Sequence, residues 1–276
     1  MTRPFWLRLI ANPRAACGLT WLALVVLAAV AAPLIAQADP FAIAGSPFSR
    51  PFTAFGLGTD SLGRSVWSGL VFGARTTLLI AIIATLSAVA FGGLVGALAG
   101  FYGGRIDDVL MRLTEFFQTI PSFIFAILLV AILSPSATSV VVAIATVSWP
   151  PIARIVRGEV LTLRSREFVQ AAITLGERDA AILLRQILPN ALSPLIVTGS
   201  LLVATAILTE SALSFLGLGA PNLMSWGFMV GAGRTFLRDA WWLVAIPGVA
   251  ILLTVLSINL VGEALNDALN PRLRTP

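Results

Sequence analysis

The sequence predicts an all-α polytopic membrane protein with six transmembrane helices. Three observations carry this expectation. Hydrophobic residues make up 58% of the 276 positions and charged residues only 11%, whereas a soluble domain is about 25% charged. Several apolar runs reach the roughly 20 residues that a helix needs to cross a bilayer. Those runs are continuously apolar and not alternating, which argues against membrane-spanning strands.

The first span is Gly18–Ala36. Arg3, Arg8 and Arg14 precede it and Ala36-Gln37-Ala38 closes it, as in a cleavable signal peptide. The run is longer than the usual apolar region of roughly 7–15 residues, which favours a retained span. The second span, Thr76–Phe101, carries Gly92, Gly96 and Gly100 at four-residue spacing. Small residues so spaced let helix backbones approach closely. Packing inside the bundle is the expectation, with homodimerisation through this face as the alternative. The third span is Asp108–Leu133, kinked at Pro121 because the proline ring clashes with the carbonyl four residues earlier. The fourth is Ala137–Ile155, with Pro150-Pro151 near its end. The fifth is Ala191–Glu210 and the sixth Trp241–Val261.

All 18 basic residues are Arg. With the N-terminus inside, Arg3, Arg8, Arg14, Arg105, Arg112, Arg154, Arg157, Arg164, Arg166, Arg178, Arg185, Arg272 and Arg274 fall on the inner side. Arg50, Arg64, Arg75, Arg234 and Arg238 fall outside. The positive-inside rule therefore places both termini in the cytoplasm, with Cys17 at the cytoplasmic edge of the first span. Because the Arg residues cluster between apolar runs, the net charge of +5 reads as membrane orientation and not as nucleic-acid binding. The chain has no His, no Lys and one Cys. This excludes Ser-His dyads, zinc motifs of the HExxH type, lysine-bearing phosphate loops and internal disulfides, and no resident metal is expected.

The segment Arg154–Pro189 is the longest inner loop, and it is patterned. Glu167–Leu175 predicts a short helix with Phe168, Ala171, Ala172 and Leu175 along one side. Gly176 ends it in a left-handed conformation. Asp179 fits the N-cap of a second short helix, Ile182, Leu183 and Ile187 form its apolar side, and Pro189 stops it before the fifth span. Two short helices joined at a glycine, with a charged rim and an apolar centre, have the anatomy of a docking surface; a loop that only joins two spans fits the pattern equally well. Glu115 and Glu210 lie within or at the ends of spans. Carboxylates there are costly and are candidates for function by default. The alternatives are an ion pair of Glu115 with Arg112 and a merely structural Glu210 at the outer end of the fifth span. Arg64 and Arg234, on the outer side, are candidates for contact with a partner protein or for interfacial anchoring.

"QAAITLGERDAAILLRQILP" resembles the EAA loop of ABC-importer permeases. Gln170, Ala171, Ala172, Gly176, Leu188 and Pro189 fall on its register; Gln170 replaces the family's Glu and Gln186 its isoleucine. "LGTDSLGRSVWSGLVFGART" (57–76), "ESALSFLGLG" (210–219), "SWG" (225–227) and "NLVGEALNDALNPRLR" (259–274) resemble, in order, segments of C-type permease subunits of dipeptide, oligopeptide and nickel importers. Ser65, Glu263 and Asn270 stand where that family commonly has Asp.

The resemblance implies a type I importer permease fold in a bacterial cytoplasmic membrane. It implies a coupling surface built from Glu167, Gln170, Ala171, Ala172, Gly176, Asp179, Leu183, Leu188 and Pro189. It also implies four kinds of partner: a second homologous permease, two ATPase subunits that bind the ATP and Mg, an extracytoplasmic binding protein that meets Arg64 and Arg234, and membrane lipid. Residues 1–75 would form an N-terminal tail, first span and extracytoplasmic segment, and 76–276 a five-helix core holding the coupling loop. Peptide is the expected cargo, with nickel or another small solute as the alternative. A secondary transporter would need coupling carboxylates near the midplane, and an intramembrane hydrolase would need a base that a chain without His or Lys does not supply.

Overall fold

The computed structural model describes residues 12–36, 39–53 and 55–269. Arg3, Arg8, Gln37, Ala38, Asn270, Arg272 and Arg274 lie outside the described residues. Among the described residues the regular secondary structure is helical, apart from isolated bridges pairing Ile43 with Arg64 and Thr59 with Ser65.

Helix α1 spans Pro13–Val30, and α2 is the short Ala32–Ile35. Asn12 caps α1, its side chain accepting from the Arg14 N–H, and Pro13 occupies the first turn, where it lacks no needed donor. Helix α3 runs from Val66 to Tyr102. It starts ten residues before the expected Thr76, because the Ser65 side chain caps it, so a division at residue 75 falls inside it. At 37 residues it is about 56 Å long, well beyond the roughly 30 Å hydrocarbon core.

The expected third span is two helices, α4 (Gly104–Thr119) and α5 (Ser122–Leu133), bent by 85°. Pro121 breaks the chain outright: Ile120 before it is extended and Pro121 itself caps α5. Helix α4 is an interfacial type of helix. Ile106, Val109, Leu113 and Phe116 are exposed along one stripe, while Thr114 is buried against the bundle.

Helix α6 covers Ala137–Arg164, and Pro150-Pro151 lie inside it instead of near its end. It continues nine residues past the expected Ile155, which shortens the loop that follows. The next elements are α7 (Glu167–Thr174) and α8 (Asp179–Ile182), a π-helical turn at Leu183–Ile187, and α9 (Leu188–Phe215). Pro189 does not stop the chain. The wider π turn precedes it and sets it at the start of α9, where a missing N–H costs least. Helix α10 (Trp226–Gly233), a 3₁₀ turn (Arg234–Phe236) and α11 (Trp242–Leu269) complete the fold. Among the described residues five helices are long and apolar enough to span a membrane, or up to six crossings if the bent α4–α5 pair counts as one.

The most extensive helix pairing is α3 with α6, and the glycine stripe makes it. A Cβ on Gly92 would lie 2.5 Å from the Trp149 carbonyl oxygen, and one on Gly100 2.8 Å from that of Arg157. Gly96 meets the Ala153 carbonyl in the same way. The stripe is therefore filled within the bundle, as expected, and the homodimer alternative is corrected: α6 already occupies that face. A bidentate Asp107–Arg157 pair ties α4 to α6 at the same end. At the far end, residues 39–65 fold back on themselves. The Asp60 carboxylate accepts from the Leu62 and Arg64 N–H groups, and Trp242 Nε1 donates to the Thr59 carbonyl.

Gly96→Val should destabilise the α3–α6 seam by about 1–3 kcal/mol or more, the usual cost of overpacking. It should lower both membrane abundance and the thermal midpoint of the detergent-purified chain. Gly93→Ala, where a Cβ meets nothing within 4 Å, should leave both unchanged.

Candidate functional site

One end of the bundle is an elbow built on α6. Ser165 caps α6, and Gln170 Nε2 donates to the Arg164 carbonyl at 2.9 Å. The Gln170 amide thus satisfies a helix-end oxygen that a glutamate, an acceptor only, would leave open. Helix α7 ends in a Schellman motif: Gly176 N–H donates to Ile173 O and Glu177 N–H to Ala172 O. Gly176 has φ +74°, as the sequence predicted. Asp179 is not the N-cap of α8. Arg178 has the extended cap conformation, and Asp179 is the first helical residue, where its charge favours the helix dipole instead. Gln186 Nε2 donates to Glu177 Oε2 at 2.9 Å and braces the elbow from within.

Each short helix has an inner and an outer side. Val169, Ala172, Ile182, Leu183 and Ile187 are buried in one cluster with Ala97, Phe101, Val156 and Val160. Leu188 packs on its edge. Leu183, 8% exposed, therefore faces the bundle and not a partner. The sequence stripe Phe168, Ala171, Ala172, Leu175 splits: Ala172 points in, while Phe168, Ala171 and Leu175 point out. Leu175 is 82% and Leu184 62% exposed, and Phe168 and Ile173 are also bare. Around them stand the exposed Arg166, Glu167, Arg178, Asp179, Arg185 and Pro189. The elbow thus presents apolar side chains outward inside a charged rim, on a base held rigid by its own apolar core. Sequence reading missed Leu184 and Ile173. Their exposure depends on which side α6 covers, and periodicity alone does not say.

The other candidates lie apart from the elbow. Glu115 is exposed on α4, and the only ion pair among the described residues is Asp107–Arg157, so the Arg112 pairing is not formed. Glu210 is 1% exposed, on the inward side of α9. The Ser214 hydroxyl donates to its Oε1 at 2.7 Å and the Ser211 hydroxyl lies 3.4 Å from Oε2. Thr77 Oγ1 on α3 accepts the Trp226 N–H at 3.2 Å, which brings α3 to the start of α10. Nothing in the sequence between residues 77 and 226 flags that meeting. Arg64 lies 5.1 Å over the Phe41 ring. Arg234 donates to the Phe215 carbonyl at 2.9 Å and stacks on its ring. Both arginines thus have internal partners, and Arg234 remains exposed.

Comparison with known proteins agrees with this architecture. The family model described as "binding-protein-dependent transport system inner membrane component" matches residues 92–275. A model of the N-terminal transmembrane domain of oligopeptide transport permease C matches residues 1–51. A putative peptide transport system permease of Brucella suis biovar 1 is 42% identical over 93% of this chain and 87% of that protein. The di/tripeptide transport system permease DppC of Pseudomonas aeruginosa is 39% identical over 99% of this chain and 92% of its own length. The oligopeptide transport system permease OppC of Bacillus subtilis is 37% identical over 97% and 88%. Among solved structures, a chain of the inward-facing MetNI methionine ABC transporter superposes with a TM-score of 0.62 at 19% identity, covering 74% of this chain and 97% of that one. With matches that span nearly its whole length, the chain belongs to the family of inner membrane components of binding-protein-dependent transport systems.

Proposed function

We propose that this chain is one permease half of an ATP-driven importer that carries di- or oligopeptides across a bacterial cytoplasmic membrane. The observation that carries the reading is the elbow: Phe168, Leu175 and Leu184 stand bare in a charged rim at the end of two over-long helices. Apolar side chains held outward on a rigid base suit the cleft of an ATPase subunit, and the rim charges suit its edges. The cargo class comes from the named activities of the relatives.

The partners in this reading are a second homologous permease, two ATPase subunits that hold ATP and Mg, and an extracytoplasmic binding protein. Both termini lie in the cytoplasm. Residues 13–65 form an accessory span and outer segment, and the helices from Val66 onward form the permease core. ATP-driven closure of the ATPases shifts the elbows, and the permease pair alternates between inward- and outward-facing forms. Glu115, exposed on α4, and the buried Glu210 are candidates for the transport pathway or for a structural role. Arg64 and Arg234 flank the surface on which the binding protein lands.

Leu175→Arg and Leu184→Arg should each weaken ATPase association at least about tenfold, since burying a Leu is worth about 1.5–3 kcal/mol. Copurification from native membranes measures it; full retention by both variants would remove the elbow as the coupling surface. A Leu175→Cys chain in a Cys17→Ser background should crosslink to an ATPase subunit.

Gly176→Val places a β-branched residue at positive φ, an outlier conformation. A Cβ there meets nothing within 4 Å, so the cost is one of backbone strain alone. The variant should insert normally yet lose transport, while Gly176→Ala should be milder, at about 1–2 kcal/mol.

Cys17 is exposed on α1. It should resist an impermeant thiol reagent added outside intact cells; strong labelling would reverse the orientation.

A further inference from the structure

Helix α4 leaves the bundle sideways. Gly103 and Gly104, at φ +66° and +53°, turn the chain out of α3, and the 85° bend at Pro121 sets α4 across α5. One side of α4 is taken. Asp107 pairs with Arg157, Thr114 is buried, and Leu110 and Phe117 pack on the cluster that holds the elbow's inner residues. The rest of its circumference is ordered. At about 3.6 residues per turn, the exposed Ile106, Val109, Leu113 and Phe116 form one band beside the packed side. The exposed Arg105 and Arg112 form the next row, and the exposed Asp108 and Glu115 the row after it, nearly opposite the apolar band. Neither arginine closes a salt bridge with those acids, since the only ion pair among the described residues is Asp107–Arg157.

The depth of α4 follows from its neighbour. Helix α5 has 12 residues, about 18 Å, and the extended Ile120 and Pro121 add roughly 7 Å. With Ser134 at the far boundary, that is about 5 Å short of the roughly 30 Å hydrocarbon core. Helix α4 therefore lies about that far inside the boundary, at the depth of roughly 5–10 Å where in-plane amphipathic helices sit. Tyr102, the chain's single Tyr, stands exposed where α3 turns toward α4, and Tyr favours the headgroup level. In that pose the apolar band faces acyl chains. The arginine row beside it lies level with the phosphates, and the acidic row turns to water, away from like charge.

We propose that α4 is a binding site for anionic phospholipid: Ile106, Val109, Leu113 and Phe116 sink into the acyl boundary, and Arg105 and Arg112 hold the phosphates of anionic headgroups beside it. The guanidinium fork matches a phosphate bidentately, and its aliphatic stem lies along the apolar band while the charge reaches the headgroup. The permease reading above places this site in the inner leaflet, beside the elbow; the lipid contact itself needs only the geometry of α4.

The test uses the full chain in nanodiscs, with a bimane fluorophore on Val109→Cys in a Cys17→Ser background. A minor fraction of the lipid is phosphatidylglycerol or phosphatidylcholine carrying a nitroxide on its acyl chain. Quenching should report phosphatidylglycerol enriched over phosphatidylcholine at least about fivefold, the worth of one arginine near an anionic surface. Arg105→Gln with Arg112→Gln should bring that ratio close to one at unchanged membrane abundance, while Arg105→Lys with Arg112→Lys, which keeps both charges, should preserve most of it. Aqueous iodide should quench bimane on Glu115→Cys and spare it on Val109→Cys. Equal quenching by the two lipids, a preference kept by the Gln pair, or iodide reaching position 109 overturns the proposal. So does loss of lipid quenching when further importer subunits copurify, because a protein then covers the band. Failure of the chain to bind an ATPase would sink the permease reading and leave this result standing, since the readout involves neither nucleotide nor subunit.

Discussion

Everything at the elbow end depends on how closely α3 and α6 approach each other. Their backbones meet at Gly92, Gly96 and Gly100, opposite the carbonyls of Trp149, Ala153 and Arg157. In lipid, apolar burial gives helices little reason to associate, and van der Waals contact between close backbones takes its place. The seam fixes the direction in which α6 leaves the membrane. It also brings Phe101, Val156 and Val160 to the one place where Val169, Ala172, Ile182, Leu183 and Ile187 can bury themselves. The Asp107–Arg157 pair sets α4 against the same stretch of α6. The elbow has a rigid base, a helix pair too tightly packed to shear without clash.

The elbow itself is made of two opposed demands. Its inner residues complete a core, and its outer residues leave Leu175 and Leu184 in water. Bare apolar residues rimmed by charge mark an interaction site more often than chance exposure does. The Schellman turn at Gly176, the Gln170 tie to Arg164 and the Glu177–Gln186 brace hold those residues in place without a partner. The surface is therefore organised by the chain's own contacts, and such preorganisation is what lowers the ordering cost of a docking event.

Polar groups within the spanning helices find partners nearby, with the buried Thr85 hydroxyl of α3 as the exception among the described residues. Thr20, Ser87, Thr205 and Thr209 bond carbonyls of the preceding turn, and Trp21 reaches across to Thr254. Glu210 follows the same pattern with a carboxyl group. Burying it without a partner would cost several kcal/mol; the Ser214 and Ser211 hydroxyls of its own helix meet that need.

Much of this was readable from sequence. Continuous apolar runs set the class, the glycine spacing announced a close helix seam, and Gly176 marked its turn, because each is a local consequence of side-chain chemistry. The prolines show where local rules stop. Pro121 breaks a helix, while Pro150, Pro151, Pro194 and Pro247 lie inside helices and Pro189 is absorbed by a π turn. The ring clash is the same in each case, but neighbouring helices decide whether a bend or a straight path buries more. Sidedness was likewise hidden. The spacing of Phe168, Ala171, Ala172, Leu175 and Leu183 marks apolar positions but not which of them α6 and α3 will cover, so Leu183 turned inward and Leu184 outward. The partner of Thr77 lies far away along the chain, at Trp226. Sequence alone determined that a carboxyl at position 210 would need satisfying, and Ser211 and Ser214 stand within one turn of it; only tertiary packing decided that Thr77 would meet the start of α10, because contacts between distant segments exist only once the helices have been brought together.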